Sequence, residues 1–230
     1  MSIGGTDKLK VIAVDGPAGS GKTTVCAELA RRLGFVFVSS GAIYRACAWV
    51  FRNFYGDRGP QDFVKALSSI PLDFDFTNGQ FVVKFEERVI SSELHDPDIA
   101  KIASQLARIP EIREFANRVQ RALADKAPVV VEGRDATTVV FPDACLKVFL
   151  TARPEERARR RWLELLSKGI QVSFEEVLKD VLERDEADSR RALAPLTHDP
   201  DAVLIDSTGI TIDDVVHIII RLYREKCSSL

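Results

Sequence analysis

A short apolar run, Val11–Val14, leads directly into Gly16-Pro17-Ala18-Gly19-Ser20-Gly21-Lys22-Thr23. That octapeptide fits G-x-x-x-x-G-K-[ST], in which glycines let backbone N–H groups close around phosphate oxygens because no Cβ obstructs them. The residues before it read as a buried strand, and Thr23 to Leu33 reads as a helix. Strand, loop and helix in that order demand an α/β architecture. The loop sits at the strand's C-terminal end, and a helix N-terminus adds partial positive charge toward an anion. Lys22 supplies a mobile cation for outer phosphates, and the Thr23 hydroxyl is placed to ligate Mg²⁺.

The rest of the chain agrees with this start. Four more short runs rich in branched residues, Phe35–Val38, Val129–Val131, Leu146–Leu150 and Val203–Ile205, alternate with helical patterns. Strands of this kind are buried on both faces, which predicts a mostly parallel five-stranded sheet with flanking helices and right-handed crossovers. The region from about Pro60 to His95 breaks the rhythm. Leu72–Phe76 alternates apolar and acidic residues, Asn78-Gly79 is a hairpin turn signal, and Phe81–Phe85 and Val89-Ile90 follow. A small antiparallel sheet inserted into the α/β core is expected there.

Helices resume from about Pro97 to Lys126, and Pro154-Glu155-Glu156 opens another that runs to about Ser167. Ser173-Phe174-Glu175-Glu176 reads as a capping box. No repeat, low-complexity tract or linker divides the chain. The 230 residues are therefore expected to form a single domain, with an insert at about 40–126 and a lid at about 153–170.

Composition excludes several classes. Hydrophobic residues make up 46%, enough for a substantial core. The formal charge of -2 argues against a protein that wraps nucleic acid. Of the 32 cations 21 are Arg, whose planar forks suit phosphate better than ammonium does. Cys26, Cys47, Cys145 and Cys227 are scattered without metal-ligand spacing, so reduced thiols in a cytoplasmic protein are expected. Met1–Lys10 is short, mixed and polar, unlike a signal peptide, and no apolar run approaches the length of a membrane span.

Candidate site residues cluster where strands end. After the second strand comes Ser39-Ser40-Gly41-Ala42-Ile43-Tyr44-Arg45, whose Arg lies one turn into a helix, within reach of a second phosphate. After the third comes Glu132-Gly133-Arg134-Asp135. Arg134 can bind phosphate and Asp135 can accept from a base amino group, or the two can simply pair with each other at the surface.

The fourth strand leads into Arg153, Arg157, Arg159, Arg160 and Arg161. These read either as a solvated or nucleic-acid-binding helix face, or as a mobile lid closing over a phosphoryl group; the phosphate loop favours the lid. Arg184, Asp188 and Arg191 stand at i, i+4 and i+7 of a helical pattern and so share a face. From spacing alone that is a salt-bridge ladder.

Taken together, Ile12–Lys22, Ser40–Arg45, Ala103-Ser104-Gln105, Gly133-Arg134-Asp135 with Thr138–Ala144, Glu155–Ala158, Glu183-Arg184-Asp185 and Ala194-Pro195-Leu196 resemble the bacterial cytidylate kinases. These are nucleoside monophosphate kinases that phosphorylate CMP and dCMP with ATP and Mg²⁺. The Gly-Arg-Asp…Thr-Val-Val-Phe-Pro-Asp-Ala segment is the most specific part of the match.

The resemblance implies a P-loop kinase fold and a role for each matching residue. Gly16, Pro17, Ala18, Gly19, Ser20, Gly21, Lys22, Thr23 and Thr24 would bind ATP. Ser104, Arg113 and Asp135 would contact cytosine, and Arg45, Arg134 and Arg191 the monophosphate. Arg184 and Asp188 would meet the sugar, and Ser40 would lie near the acceptor. Lys22, Arg153, Arg157 and Arg161 are the candidates for stabilising the transferring group, and Thr23 the candidate metal ligand. A monomer that binds small nucleotides, with no nucleic-acid or membrane partner, is expected.

There are departures from the family pattern. Ser39 stands where Asp is common, His95 where an Arg often follows the insert, and Ala187 where Arg is frequent. Thr137 stands where Gly is usual, which predicts backbone strain at a position that prefers positive φ. These departures bear on sugar preference, rate and base discrimination, and leave the reaction class alone. No Asn-Lys-x-Asp guanine signature occurs, which argues against a GTPase switch.

Overall fold

The computed structural model describes residues 11–191 and 193–227; Met1–Lys10, read above as unlike a signal peptide, lie outside them. Five strands, β1 (Val11–Asp15), β2 (Val36–Ser39), β6 (Val129–Glu132), β7 (Leu146–Thr151) and β8 (Val203–Asp206), form one sheet in the order β2-β6-β1-β7-β8. The sheet is parallel. β1 runs beside β7 with Ile12 opposite Leu146 and Asp15 opposite Phe149, and β7 beside β8 with Val148 opposite Val203. Every residue of β1 and β6 is buried, as expected of central strands covered on both faces.

A second sheet holds β3 (Leu72–Thr77), β4 (Gln80–Phe85) and β5 (Arg88–Val89). The β3–β4 register closes at Thr77 opposite Gln80, leaving Asn78 (φ 52°) and Gly79 (φ 74°) as the two-residue turn. Two consecutive positive φ values are what this hairpin turn requires, and Asn-Gly supplies them cheaply.

The described residues also form eight α-helices: α1 (Lys22–Leu33), α2 (Ser40–Val50), α3 (Pro60–Ala66), α4 (Pro97–Leu106), α5 (Pro110–Lys126), α6 (Pro154–Ser167), α7 (Phe174–Ser189) and α8 (Ile212–Cys227). Their ends follow local chemistry. Gly34, left-handed at φ 69°, stops α1. The Phe35 N–H bonds back to Ala30 O at 2.9 Å, so Phe35 closes the helix and β2 begins one residue later than the apolar run suggests. The Asp96 side chain caps α4, and Ile109, extended before Pro110, separates α4 from α5. The capping box at Ser173 forms in both directions.

Two compact units divide the described chain, one made of residues 11–35 and 130–227 and the other of Val36–Val129. The first carries β1, β7, β8 and the helices α1, α6, α7 and α8. Within it Cys145 and Cys227, 82 residues apart in sequence, are joined in a disulfide, while Cys26 and Cys47 are free and buried. This corrects the expectation of four reduced thiols. The fold brings the two Cα atoms to 5.9 Å, within bonding range, and sequence spacing could not show that.

The second unit carries the small sheet and α2 to α5, and aromatic rings hold it together. Phe63 is fully buried, with the rings of Phe51 and Tyr55 at 5.7 Å and 5.5 Å, and Phe74 lies among Phe81 and Phe115.

Candidate active site

The phosphate loop connects β1 to α1, and its glycines answer to packing as well as to phosphate. Gly16 has φ 148°, and a Cβ there would stand 2.0 Å from the Leu150 carbonyl oxygen of β7. Gly19 has φ 75°, and its Cβ would press at 3.2 Å on both the Cβ and the carbonyl of Arg157.

Lys22 is buried, and its ammonium donates to Gly16 O (2.8 Å), Pro17 O (2.7 Å) and the Ser20 hydroxyl (3.4 Å). Burial, and then the nearby Arg134 charge, pull its pKa down to about 7. A buried cation with strained protonation is poised to gain from an incoming anion.

Next to it the Thr23 hydroxyl lies 3.0 Å and 2.9 Å from the two carboxylate oxygens of Glu132, the last residue of β6. Hydroxyl and carboxylate oxygens are the donors a hard divalent cation takes, so the pair fits Mg²⁺. Sequence reasoning passed over Glu132. The available signal was an acidic residue closing an otherwise apolar strand at the level of the phosphate loop.

The segment after β6 is tied to β1. The Gly133 N–H donates to Val14 O at 3.0 Å. Asp15, fully buried at the end of β1, accepts from the Ala136 N–H (2.9 Å), the Thr137 N–H (2.7 Å) and the Thr137 hydroxyl (2.6 Å). Burial raises the Asp15 pKa, and the Thr137 bonds act against that rise.

Thr137 sits in a five-residue π-helical turn, Ala136–Val140, and is not among the non-glycine residues with positive φ. The strain expected from a Cβ at this position is absent, because the backbone here is helical and the hydroxyl has a buried acceptor.

Arg134 and Asp135 do not pair with each other as a surface couple. Arg134 Nε meets Asp188 Oδ2 of α7 at 2.7 Å, Asp188 also bonds Arg191, and Asp135 is buried. One carboxylate thus gathers two of the arginines expected at the monophosphate. Arg184 does not join them; it is exposed and pairs with Asp180. Of the face inferred from spacing, the Asp188–Arg191 contact forms although α7 ends at Ser189, whereas Arg184, inside the helix, turns to Asp180.

The arginines of α6 take different surroundings. Arg157 is buried and uses its whole fork: Nε to Ala152 O (2.9 Å), Nη1 to Ala18 O (3.0 Å) and both terminal nitrogens to Asp185 (3.0 and 2.6 Å). Arg160 donates to Ser207 O (2.7 Å), the Ser207 hydroxyl (3.1 Å) and Ser20 O (3.4 Å). Arg161 pairs with Glu164 nearer the surface, and Arg153 is exposed, its backbone N–H on Thr208 Oγ1. With Arg157 and Arg160 turned onto the phosphate loop, the run is not a uniform solvated face. Sequence reasoning gave Asp185 and Ser207 no role, since only the fold brings them to these arginines, and it did not count Arg160 among the residues acting on the transferring group.

In the second unit, Ser40 opens α2, and Arg45 lies one turn on with its Nη1 close to Gly41. Arg113 is buried in α5, donates to Ala107 O at 3.1 Å and holds its guanidinium 6.0 Å from the Tyr44 ring centre. Ser104 is exposed on α4.

A parallel five-stranded sheet, a lysine-bearing glycine loop entering a helix, and a carboxylate facing the loop threonine define a P-loop kinase. The sequence profile described as "Cytidylate kinase" matches residues 12–225. The cytidylate kinase of Thermosipho africanus is 44% identical over 216 residues, covering 94% of this chain and 95% of that one. The cytidylate kinase of Alkaliphilus metalliredigens is 42% identical over 218 residues, covering 94% and 97%. Among solved structures, that of an uncharacterized protein from Eubacterium ventriosum has a TM-score of 0.50 at 15% identity, covering 95% of this chain and 99% of that one; this likeness concerns the fold alone. The chain belongs to the cytidylate kinase family and is an enzyme of that kind. No described helix is long and apolar enough to cross a membrane.

Proposed function

We propose that the protein transfers the γ-phosphoryl group of ATP to CMP and dCMP, giving ADP with CDP or dCDP, by direct in-line displacement. The observation that carries this reading is the grouping of Lys22, the Thr23–Glu132 pair and the Arg134–Asp188–Arg191 cluster within one compact unit. Family membership and the names of the relatives support cytosine as the base.

The residues from Gly16 to Thr24 hold the triphosphate, and Lys22 follows the charge on the transferring group. Thr23 with Glu132 would hold Mg²⁺, which would supply charge neutralisation at the donor phosphates. No side-chain nucleophile is needed, since the monophosphate oxygen attacks and positioning with charge neutralisation carries the rate. An arriving monophosphate competes with Asp188 for Arg134 and Arg191, which leaves the Asp188 carboxylate to accept from a sugar hydroxyl.

We assign Arg45 to the same phosphate, Ser40 to the acceptor's surroundings, Arg184 to the sugar, and Ser104 and Arg113, with Asp135, to the base. Cytosine has an exocyclic amino donor for Asp135 that uracil lacks. Arg153, Arg157 and Arg161 remain the residues proposed to act on the transferring group, Arg157 and Arg161 on release from Asp185 and Glu164. The protein acts as a cytoplasmic monomer on small nucleotides.

A coupled assay with ATP, Mg²⁺ and CMP, dCMP, UMP, AMP or GMP tests the proposal. CMP and dCMP are expected to turn over fastest, and failure of both removes the assignment. Asp135→Ala is expected to lower kcat/KM for CMP about 100-fold and for UMP far less. Equal losses would take Asp135 out of base recognition.

A further inference from the structure

We propose that Thr137 is a positioning residue for cytosine recognition, clamping the turn that carries Asp135 onto the strand that feeds the phosphate loop. The inference rests on the reading of Asp135 as the residue that meets the base.

Asp15 is the last residue of β1 and precedes Gly16, whose carbonyl accepts from Lys22 at 2.8 Å. Its carboxylate is fully buried and takes three bonds, all from the two residues that follow Asp135: two from backbone N–H groups and one, at 2.6 Å, from the Thr137 hydroxyl. Asp135 in turn is fixed at its carbonyl, which accepts from the Val139 N–H (2.9 Å) and the Val140 N–H (3.2 Å). The path from Asp135 through the turn and Thr137 to Asp15, Gly16 and Lys22 therefore has no loose link.

Only one of the donors to Asp15 depends on side-chain identity. A chain with glycine at 137 would keep the N–H and lose the hydroxyl, leaving a buried carboxylate oxygen with a single bond. A buried carboxylate that loses a donor is left underserved, and the strain of that loss falls on the turn that supplies its two remaining donors and follows Asp135 directly.

Thr137→Val removes the hydroxyl at nearly constant volume, and Thr137→Ser restores it. The valine enzyme is expected to show an about tenfold higher KM for CMP and an about tenfold lower preference for CMP over UMP, with KM for ATP unchanged. The serine enzyme should return near the wild type. A valine enzyme with unaltered KM and base preference, an equal loss on both bases, or a loss that serine does not repair would overturn the proposal.

Amide hydrogen exchange in the nucleotide-free protein gives a second readout that needs no turnover. Exchange at Ala136 and Thr137 is expected to rise about tenfold in the valine enzyme while the remainder of the fold is unaffected. Unchanged exchange there sinks the clamp whichever nucleotide the enzyme uses. Should the wild-type enzyme ignore cytidine monophosphates, the functional reading falls, and the exchange result still decides whether Thr137 holds this turn.

Discussion

In the unit that carries the phosphate loop, charged side chains are held by polar and charged partners. Lys22 leans on loop carbonyls, Glu132 on Thr23, Asp15 on Thr137, Arg134 on Asp188, and Arg157 on Asp185. In Val36–Val129 the interior belongs to rings, with Trp49, Phe54 and Phe85 in mutual contact and Phe63 enclosed by Phe51 and Tyr55.

The contrast teaches where ligand and stability meet. Buried charges are costly to assemble, and the cations among them can trade a present partner for a phosphate. Ring packing contributes apolar burial and responds to no anion. Changes in the first region should therefore appear as lost turnover, and changes in the second as lost stability.

The sharpest way to break this contrast is Lys22→Ala. Turnover is expected to fall about 10³-fold, with the thermal midpoint near the wild-type value. Near-normal turnover would deny the lysine its role, and a collapsed fold would show that the charge network is structural after all.

On the opposite side, Phe63→Ala should cost about 3–5 kcal/mol in denaturant titration, with kcat per folded molecule unchanged. A loss of kcat at full folding would mean that the rings shape the site.

The smallest effect concerns the Lys22 proton. With a pKa near 7 in the nucleotide-free protein, the side chain is largely neutral at pH 8 and largely charged at pH 6. A bound triphosphate favours the charged form and raises that pKa. ATP binding should then take up close to one proton at pH 8 and almost none at pH 6. Calorimetry in buffers of different ionisation enthalpy reads this number. Zero uptake at pH 8 would mean that Lys22 is already charged, and Lys22→Ala should abolish the difference.

Much of this was legible in the sequence because the signals were local. The five strands of the parallel sheet lie within a residue or two of the apolar runs, the Asn78-Gly79 turn sits where its dipeptide requires, and α6 begins and ends at Pro154 and Ser167. What stayed hidden depends on partners distant in sequence. Glu132 gains meaning only when β6 delivers it to Thr23, Arg157 only when α7 brings Asp185, and Cys145 only when α8 returns Cys227. The spacing that set Arg184, Asp188 and Arg191 on one face held for Asp188 with Arg191, but Arg184 pairs with Asp180, a competing carboxylate one turn back. Thr137 was misjudged because a residue type common at a position was taken for a backbone requirement.

The missing Cβ of Gly16 has a mechanical consequence. The loop rests against the Leu150 carbonyl with no clearance, and three residues after Leu150, past the end of β7, the chain reaches Arg153 and enters α6. A displacement of Gly16 toward β7 would therefore press on the Leu150 peptide group, close to the root of the arginine-bearing helix. An alanine at residue 16 would pry the middle of the sheet apart before it touched a nucleotide.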